Sequence, residues 1–191
     1  RLKGDWLDHL EGVKWSYRIK MRKSTSLNGL SVFSLQNPST RSNLMEYVAH
    51  QLFSENDILT TRYDFTPIYV NGKSRGVYAM EEHFSKQLIE HNKRREGVVL
   101  RFNEEAFWKV QKHFKLYKNW PLMPYYQAAV AEPFQSGKTL NSANLNQQFA
   151  IAQRLLYQYK THQKPINQVF DIDKLAKYWA VVDLSKARHG M

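Results

Sequence analysis

The sequence of 191 residues contains no cysteine. This absence excludes disulfide scaffolds, cysteine-ligated zinc sites, iron–sulfur clusters and thiol nucleophiles. No uninterrupted run of apolar residues is longer than five, whereas a membrane-spanning helix needs about 20, so the sequence predicts no membrane span in this chain. With 8 glycines and 6 prolines, the composition also excludes a fibrous or linker-like chain.

Acidic residues are scarce relative to basic ones. The chain has 28 Lys and Arg against 17 Asp and Glu, a net charge of +11, and its 42% hydrophobic content is enough for a packed core. Between Gly12 and Met45 there is no carboxylate at all, while that span holds six basic residues: Lys14, Arg18, Lys20, Arg22, Lys23 and Arg41. The composition therefore predicts an anionic partner for this part of the chain.

A period of two within that span predicts a half-buried strand, in which Trp15, Tyr17, Ile19 and Met21 alternate with polar residues. Alternate side chains share one face of a strand, so Arg18, Lys20 and Arg22 are expected to lie side by side. Such like charges repel each other unless an opposite charge nearby compensates them. Two interpretations stay open, a solvated or ion-paired edge and a strand that faces phosphate.

A second basic pattern predicts an amphipathic helix whose polar face carries Lys109, Lys112, Lys115 and Lys118. A lysine face of this kind is either solvated or binds a polyanion or a membrane surface. Together with the N-terminal stripe of Arg18, Lys20 and Arg22, it supports an alternative function for the chain, a non-catalytic basic module that binds acidic polymer, coat protein or nucleic acid.

The order of the predicted elements favours an α+β fold. Strands are predicted near residues 15–22, 32–35, 58–63 and 97–102, and a helix is predicted from the cap at 37–40 to about Ser54. Asn71-Gly72 predicts the turn of a hairpin between 68–70 and 76–80. The second half is predicted to be mostly helical, with a long helix near 144–159 and a last helix capped by Asp171 or Asp173.

Motifs of common catalytic sites are absent: no P-loop, dinucleotide-binding, zinc-protease or nucleophile-elbow pattern occurs. Of the seven histidines, His83 and His91 come closest to a ligand pair, at a spacing of eight on one predicted helix. Five carboxylates are candidates for acid–base or magnesium-binding roles: Glu81, Glu82, Asp171, Asp173 and Asp183. Each of them could instead cap a helix or form an ion pair.

A resemblance to a known family rests on six separated elements that follow in order. They are Arg1-Leu2-Lys3-Gly4, Lys14-Trp15-Ser16-Tyr17-Arg18-Ile19-Lys20, Phe33-Ser34-Leu35-Gln36, Arg41, Tyr69-Val70-Asn71-Gly72-Lys73 and Gly76-Val77-Tyr78-Ala79-Met80-Glu81-Glu82. This series resembles the spore coat protein H (CotH) kinase family over about residues 1–102. The resemblance continues weakly from Asp171 through Asp183 to Gly190.

The resemblance implies an atypical protein kinase with an antiparallel, sheet-rich N-lobe at residues 1–102 and a mostly helical, incomplete C-lobe at 103–191. It implies ATP in a cleft, Mg or Mn as the metal, and a serine or threonine of a protein as the acceptor. It also implies a bacterial envelope, exported or spore-associated setting.

Several residues match the motifs of that family. Lys20 is expected to contact the ATP phosphates, Arg1 to face phosphate as well, and Glu82 to lie near the lobe junction; Arg18 shares the predicted cationic face of Lys20. The family's catalytic aspartate and metal-binding segment would begin about where this chain ends. Asp183 and His189 are the candidates for the start of that segment, and the expectation is a fragment that transfers phosphate poorly or not at all.

Overall fold

The computed structural model describes residues 1–3, 12–22, 25–103, 105, 109 and 130–185. The chain divides into two compact units. The first comprises Arg1–Glu96 with Phe170–Met191, and the second comprises Gly97–Val169. Among the described residues, no helix is both long enough and apolar enough to cross a bilayer.

The first unit is built on a four-stranded antiparallel sheet whose spatial order is β1-β2-β4-β3. Its strands are β1 (Tyr17–Lys20), β2 (Val32–Gln36), β3 (Tyr63–Val70) and β4 (Lys73–Glu82). The segment around Leu2 runs antiparallel to the outer edge of β1, where the Lys3 N–H donates to the Ser16 carbonyl at 2.9 Å.

Five α-helices are described in the two units. They are α1 (Met45–Glu55), α2 (Lys86–His91), α3 (Ser136–Leu140), α4 (Ala143–Lys160) and α5 (Ile172–Leu184). An antiparallel sheet with helices confirms the predicted α+β class.

Local caps set the helix starts. The predicted cap Asn37 accepts from the Ser39 N–H, but the element that it caps is the 3-10 helix Pro38–Arg41, and α1 begins only at Met45. Ser42 and Asn43 have positive φ angles, which break the helical path between the two elements. The expected cap of the last helix is confirmed, because Asp171 Oδ1 accepts from the Lys174 N–H at 3.2 Å.

The hairpin between β3 and β4 is confirmed. Asn71 and Gly72 have φ angles of 51° and 75°, the two positive values that a type I′ turn requires. The strand predicted at 58–63 was wrong in its position, since β3 begins at Tyr63 and continues to Val70. Pro67 lies inside this strand at the free edge of the sheet, where a missing N–H removes no ladder hydrogen bond.

The strand predicted near 15–22 is shorter than its alternating pattern. β1 ends at Lys20, and Met21 is held by a hydrogen bond from its N–H to the Ser31 carbonyl. Arg22 lies beyond the strand, and its carbonyl accepts from the N–H and the hydroxyl of Thr25. The strand therefore aligns two of the three expected cations, Arg18 and Lys20.

The second unit contains a two-stranded antiparallel sheet of β5 (Leu100–Phe102) and β6 (Ala131–Pro133), together with α3 and α4. The long predicted helix is confirmed as α4, which is capped by Ser142. The predicted strand at 97–102 pairs with β6 and not with the larger sheet. Of the predicted lysine-faced helix, Lys109 is described, and the other three lysines lie outside the described residues.

Helix α5 belongs to the unit that contains the four-stranded sheet. Its Tyr178 ring stacks on Phe53 of α1 at a centroid distance of 5.5 Å. Its Lys174 ammonium lies 2.6 Å from Asp57, and Arg94 pairs with the other oxygen of the same carboxylate. The predicted division into lobes between residues 102 and 103 stays a prediction. The compact units have different bounds, and the contacts of α5 explain why this helix belongs to the same unit as the N-terminal residues.

Candidate functional site: the polar face of the sheet

One face of the four-stranded sheet carries a line of polar side chains. Arg18 pairs with Ser34, Ser34 with Glu81, and Glu81 with Tyr63, so the four residues lie across the sheet in register. Directly opposed residues of neighbouring strands point to the same face. By the same alternation the face, called the polar face below, comprises Arg18, Lys20, Ser34, Gln36, Tyr63 and Glu81.

The Glu81 carboxylate is the centre of this face. Its Oε2 atom accepts from the Lys3 ammonium at 2.5 Å and from the Gln36 amide nitrogen at 2.7 Å. The side chains of Lys3 and Glu81 are each 16% exposed, so the pair is largely shielded from solvent. A partly buried, doubly held carboxylate fixes the position of the lysine ammonium relative to the sheet.

Three buried polar atoms near Glu81 have no hydrogen-bond partner among the described residues: Arg18 Nε, Gln36 Oε1 and Tyr63 Oη. All three belong to the polar face. Gln36 is 0% exposed and Tyr63 is 5% exposed. Buried polar atoms in native proteins are nearly always paired, with water or a ligand when no protein group is available. Three such atoms on one face mark it, within the described part of the chain, as a place where a ligand or ordered water can bind.

Helix α1 covers the β3 side of the polar face. The ring of His50 stacks on Tyr63 with a centroid distance of 5.0 Å, and Glu46 lies 3.5 Å from Arg41. Burial raises the pKa of the Tyr63 hydroxyl, and the nearby carboxylates of Glu46 and Glu81 raise it further. Tyr63 is therefore a neutral hydroxyl group on this face at physiological pH.

The β1 side of the polar face, away from β3 and α1, is cationic. Burial lowers the pKa of His83, and the positive charges of Arg18, Lys3 and Arg1 lower it further, against the opposing effect of Glu81. Three cations and a single carboxylate therefore act on the pKa of this imidazole. The excess of positive charge favours an anion at this place.

Glu82 lies elsewhere. It pairs in register with Phe33, on the face opposite to the polar face, and is 3% exposed. Its carboxylate is held by Arg62, at 2.8 Å from Nη2 and 3.1 Å from Nε, in a bidentate arrangement. The Arg62 N–H adds a third hydrogen bond at 3.2 Å. The structure therefore separates Glu82 from Lys20 and Arg18 and assigns its carboxylate to the junction of β3 and β4.

The other predicted site residues are placed as follows. Lys20 is exposed at the end of β1, and none of the described residues pairs with its ammonium. Arg1 is exposed, and its main chain bonds to Arg18 at 2.8 and 3.0 Å. Asp183 is exposed on α5, and no described contact joins it to the polar face. His189 lies outside the described residues.

Lys3, Gln36 and Tyr63 were not selected from the sequence as site residues. Lys3 and Gln36 lie within the motifs that carry the family resemblance, so a signal for both was available. Tyr63 had no sequence signal beyond its place at the end of the strand predicted at 58–63, because its burial depends on packing against α1.

The chemistry of the polar face suits a phosphate-bearing ligand. A shielded ammonium, a guanidinium with an unpaired Nε–H and a neutral hydroxyl all donate hydrogen bonds, and Gln36 Oε1 accepts one. Lysine and arginine together are the usual protein partners of phosphate. Among the described residues there is no cluster of three His, Asp or Glu side chains that could hold a metal ion.

Comparison with known protein families gives a match over most of the chain. The sequence model of a family described as "CotH kinase protein" matches residues 1–187. No curated protein shows significant similarity to the chain.

Proposed function

Because the chain belongs to the CotH kinase family, we propose that it is part of an atypical protein kinase that transfers the γ-phosphate of ATP to serine or threonine of a protein. In this proposal the four-stranded sheet with α1 is the N-lobe, and its polar face binds the ATP phosphates. The C-lobe is represented by the remaining, mostly helical residues.

The observation that carries the proposal is the Lys3–Glu81 pair at 2.5 Å, next to the unpaired Arg18 Nε. Protein kinases use an ion pair between a strand lysine and a glutamate to hold the lysine against the ATP phosphates. Catalysis of phosphoryl transfer depends mainly on positioning and charge stabilisation, which a fixed ammonium supplies. Here Glu81 and Gln36 fix that ammonium from one side.

The proposed roles follow from position on the polar face. Lys3 and Arg18 bind the phosphates directly, and Lys20 and Arg1 add positive charge at the exposed end of β1. Glu82 has a supporting role, because its bidentate pair with Arg62 holds β3 against β4. A kinase also needs a divalent cation, Mg or Mn, to bridge the phosphates. Since the described residues contain no metal cluster, we assign no metal ligand.

Asp183 and His189 remain candidates for the catalytic segment, on the strength of the family pattern alone. The bacterial envelope, exported or spore-associated setting is likewise part of the proposal and rests on the family. For the alternative of a polyanion-binding module, the described member of the lysine face, Lys109, pairs with Glu105 at 2.9 Å, while Lys20 of the N-terminal stripe is exposed and has no partner among the described residues.

Transfer of labelled phosphate from ATP tests the proposal. The complete gene product, with Mg²⁺ or Mn²⁺ and a mixture of acceptor proteins, is expected to yield phosphoserine or phosphothreonine, and the Lys3→Ala variant is expected to yield almost none. The matched control Lys177→Ala removes an exposed lysine of α5 and should retain activity. Equal transfer by the wild type and the Lys3→Ala variant would refute the role of the polar face, and absence of transfer by the wild type would refute the kinase assignment.

A further inference from the structure

The hairpin of β3 and β4 extends beyond the other strands of its sheet. β2 pairs with β4 at residues 79–82 only, whereas β3 stays paired with β4 up to the turn of the hairpin. Residues 67–77 therefore form a two-stranded projection, called the hairpin arm below. Within it, Ile68 and Gly76 are half-buried, and every other residue is exposed.

The charge of the hairpin arm is positive. Residues 65–80 contain Lys73 and Arg75 and no acidic residue. Neither cation has an acidic partner among the described residues. The nearest acid in the register of the hairpin is Asp64, which lies opposite Met80, five residues from Arg75 along β4. At about 3.3 Å per residue this separation is about 16 Å, longer than the screening length of about 8 Å at physiological ionic strength.

A third cation lies at the base of the hairpin arm. Lys14 Nζ donates to the Val77 carbonyl at 3.4 Å. The same ammonium lies over Gly76, where an added Cβ would come within 3.2 Å of it. Gly76 has a φ angle of 78°, so the glycine both permits this backbone conformation and leaves room for the lysine. Contact with a neutral carbonyl leaves the charge of Lys14 available to an anion.

Exposed apolar side chains accompany these cations. Tyr69 is 67% exposed, Val70 is 41% exposed and Val77 is 48% exposed. A tyrosine combines an apolar ring with a polar hydroxyl, and it is enriched at the interface between a membrane and water. Apolar groups beside cations that lack acidic partners are suited to the surface of an anionic bilayer.

Two features of the hairpin arm disfavour a protein partner. Pro67 lies in the edge strand, and a register shift follows between Ile68 and Tyr69; both oppose pairing with an added strand. The arm is also much smaller than the surface of about 20–30 residues a side that stable protein interfaces use. A bilayer surface requires no complementary shape, so a short arm is sufficient to contact it.

We propose that the hairpin arm binds an anionic membrane surface, with Tyr69 and Val70 at the level of the lipid headgroups. The cations attracted to the lipid phosphates are Lys73, Arg75 and Lys14. Attachment of this kind is peripheral and uses no membrane-spanning helix. It does not depend on the proposed kinase activity, since no residue of the polar face lies in the arm.

Co-sedimentation of the 191-residue chain with lipid vesicles tests the proposal. Vesicles of phosphatidylcholine and phosphatidylserine in equal parts are compared with vesicles of phosphatidylcholine alone, at an ionic strength of about 0.15 M and without nucleotide. The chain is expected to bind the anionic vesicles about fivefold more tightly or better. Soluble polyglutamate, the probe for an acidic protein partner, is expected to compete poorly with the vesicles at equal concentration of charge.

Exposed-site variants separate the hairpin arm from the general positive charge of the chain. Lys73→Glu should weaken binding to the anionic vesicles about tenfold or more. Lys177→Glu, with the same change in net charge on an exposed site of α5, should weaken it less than about twofold. Tyr69→Ser leaves the charge unchanged and should still weaken binding about threefold or more, because the interfacial ring is lost.

The absence of cysteine allows a fluorescent label to be placed at one chosen position of the chain. An environment-sensitive label on the Val70→Cys variant should shift its emission to shorter wavelength on anionic vesicles, whereas the same label on Lys177→Cys should not. Equal effects of Lys73→Glu and Lys177→Glu, or an unshifted label at position 70, would overturn the proposal. Displacement of the chain from the vesicles by polyglutamate would also overturn it and would identify an acidic protein as the partner.

Discussion

Glu81 and Glu82 are consecutive residues of β4, and their carboxylates lie on opposite faces of the sheet with different cationic partners, Lys3 and Arg62. The alternation of a strand produces this separation, since a shift by one residue moves a side chain to the other face. Glu81 is partly exposed and shares its face with the unpaired donors Arg18 Nε and Tyr63 Oη, whereas Glu82 is buried and fully hydrogen-bonded. The first carboxylate is therefore the one placed for ligand binding, and the second stabilises the sheet.

Glu82→Gln tests that assignment through stability. The substitution leaves the Arg62 guanidinium without its counter-charge in a largely buried pair, and removing one partner of such a pair typically lowers the free energy of unfolding by about 3 kcal/mol. Urea denaturation of the wild type and the variant measures this loss. A matched Glu90→Gln change in the exposed pair with Lys86 should alter stability little. If Glu82→Gln leaves stability unchanged and abolishes nucleotide binding, Glu82 belongs to the ligand site instead.

Asp57 is expected to make stability depend on acid pH. Hydrogen bonds from Arg94 and Lys174 hold the pKa of its carboxyl well below the ordinary value of 3.8. Because the folded pKa is depressed, the stabilisation is complete above the ordinary value and is lost as the pH falls toward the folded pKa. Asp57→Asn keeps a side chain that tolerates the φ angle of 56° at this position and removes the charge.

Thermal unfolding from about pH 6 to about pH 2 measures this effect. The wild type should unfold at a higher temperature than Asp57→Asn at the upper end of this range, and the difference should become smaller, without vanishing, toward the lower end. A constant difference across the whole range would show that the ion pairs of Asp57 do not cause the acid dependence.

His83 reports the charge of the polar face. Its pKa is lowered by burial and by Arg18, Lys3 and Arg1, and a bound triphosphate would offset those three cations. The pKa of His83 is therefore expected to rise by about one unit or more when MgATP binds. Titration of the imidazole resonance by NMR measures it, with the His83→Gln variant to assign the signal. An unchanged pKa in the presence of saturating MgATP would place the nucleotide away from this face.

Tyr63→Phe removes a buried hydroxyl that has no partner among the described residues. Because an unsatisfied buried hydroxyl is unfavourable, the free energy of unfolding without ligand is expected to stay the same or to rise by about 1 kcal/mol. Urea denaturation measures the change, and the exposed Tyr69→Phe serves as the control. A loss of more than about 1 kcal/mol would show that the Tyr63 hydroxyl is paired within the folded protein.

Local signals in the sequence were sufficient for some of these elements. The Asn71-Gly72 turn and the Asp171 cap depend on residues within a few positions of each other, and both were predicted correctly. The start of β3 was not predicted, because Pro67 normally ends a strand and is tolerated here by the position of β3 at the sheet edge. That position is set by the whole sheet and not by local sequence.

The candidate site was only partly predictable for the same reason. Alternation correctly placed Arg18 and Lys20 on one face of β1. The choice between Glu81 and Glu82 required the register of β2 with β4, and the partner of Glu81 is 78 residues distant in sequence. An isolated strand does not specify which face will meet α1, so the unpaired atoms of Gln36 and Tyr63 had no signal in the sequence.

Titration calorimetry of MgATP binding tests the central claim most directly. The account predicts that Lys3→Ala weakens binding about tenfold or more, because a shielded, charge-assisted contact is lost, while Lys177→Ala leaves affinity unchanged. Lys20→Ala is expected to weaken binding less than Lys3→Ala, since Lys20 is exposed. Equal affinity of the wild type and a correctly folded Lys3→Ala variant for MgATP would contradict the account.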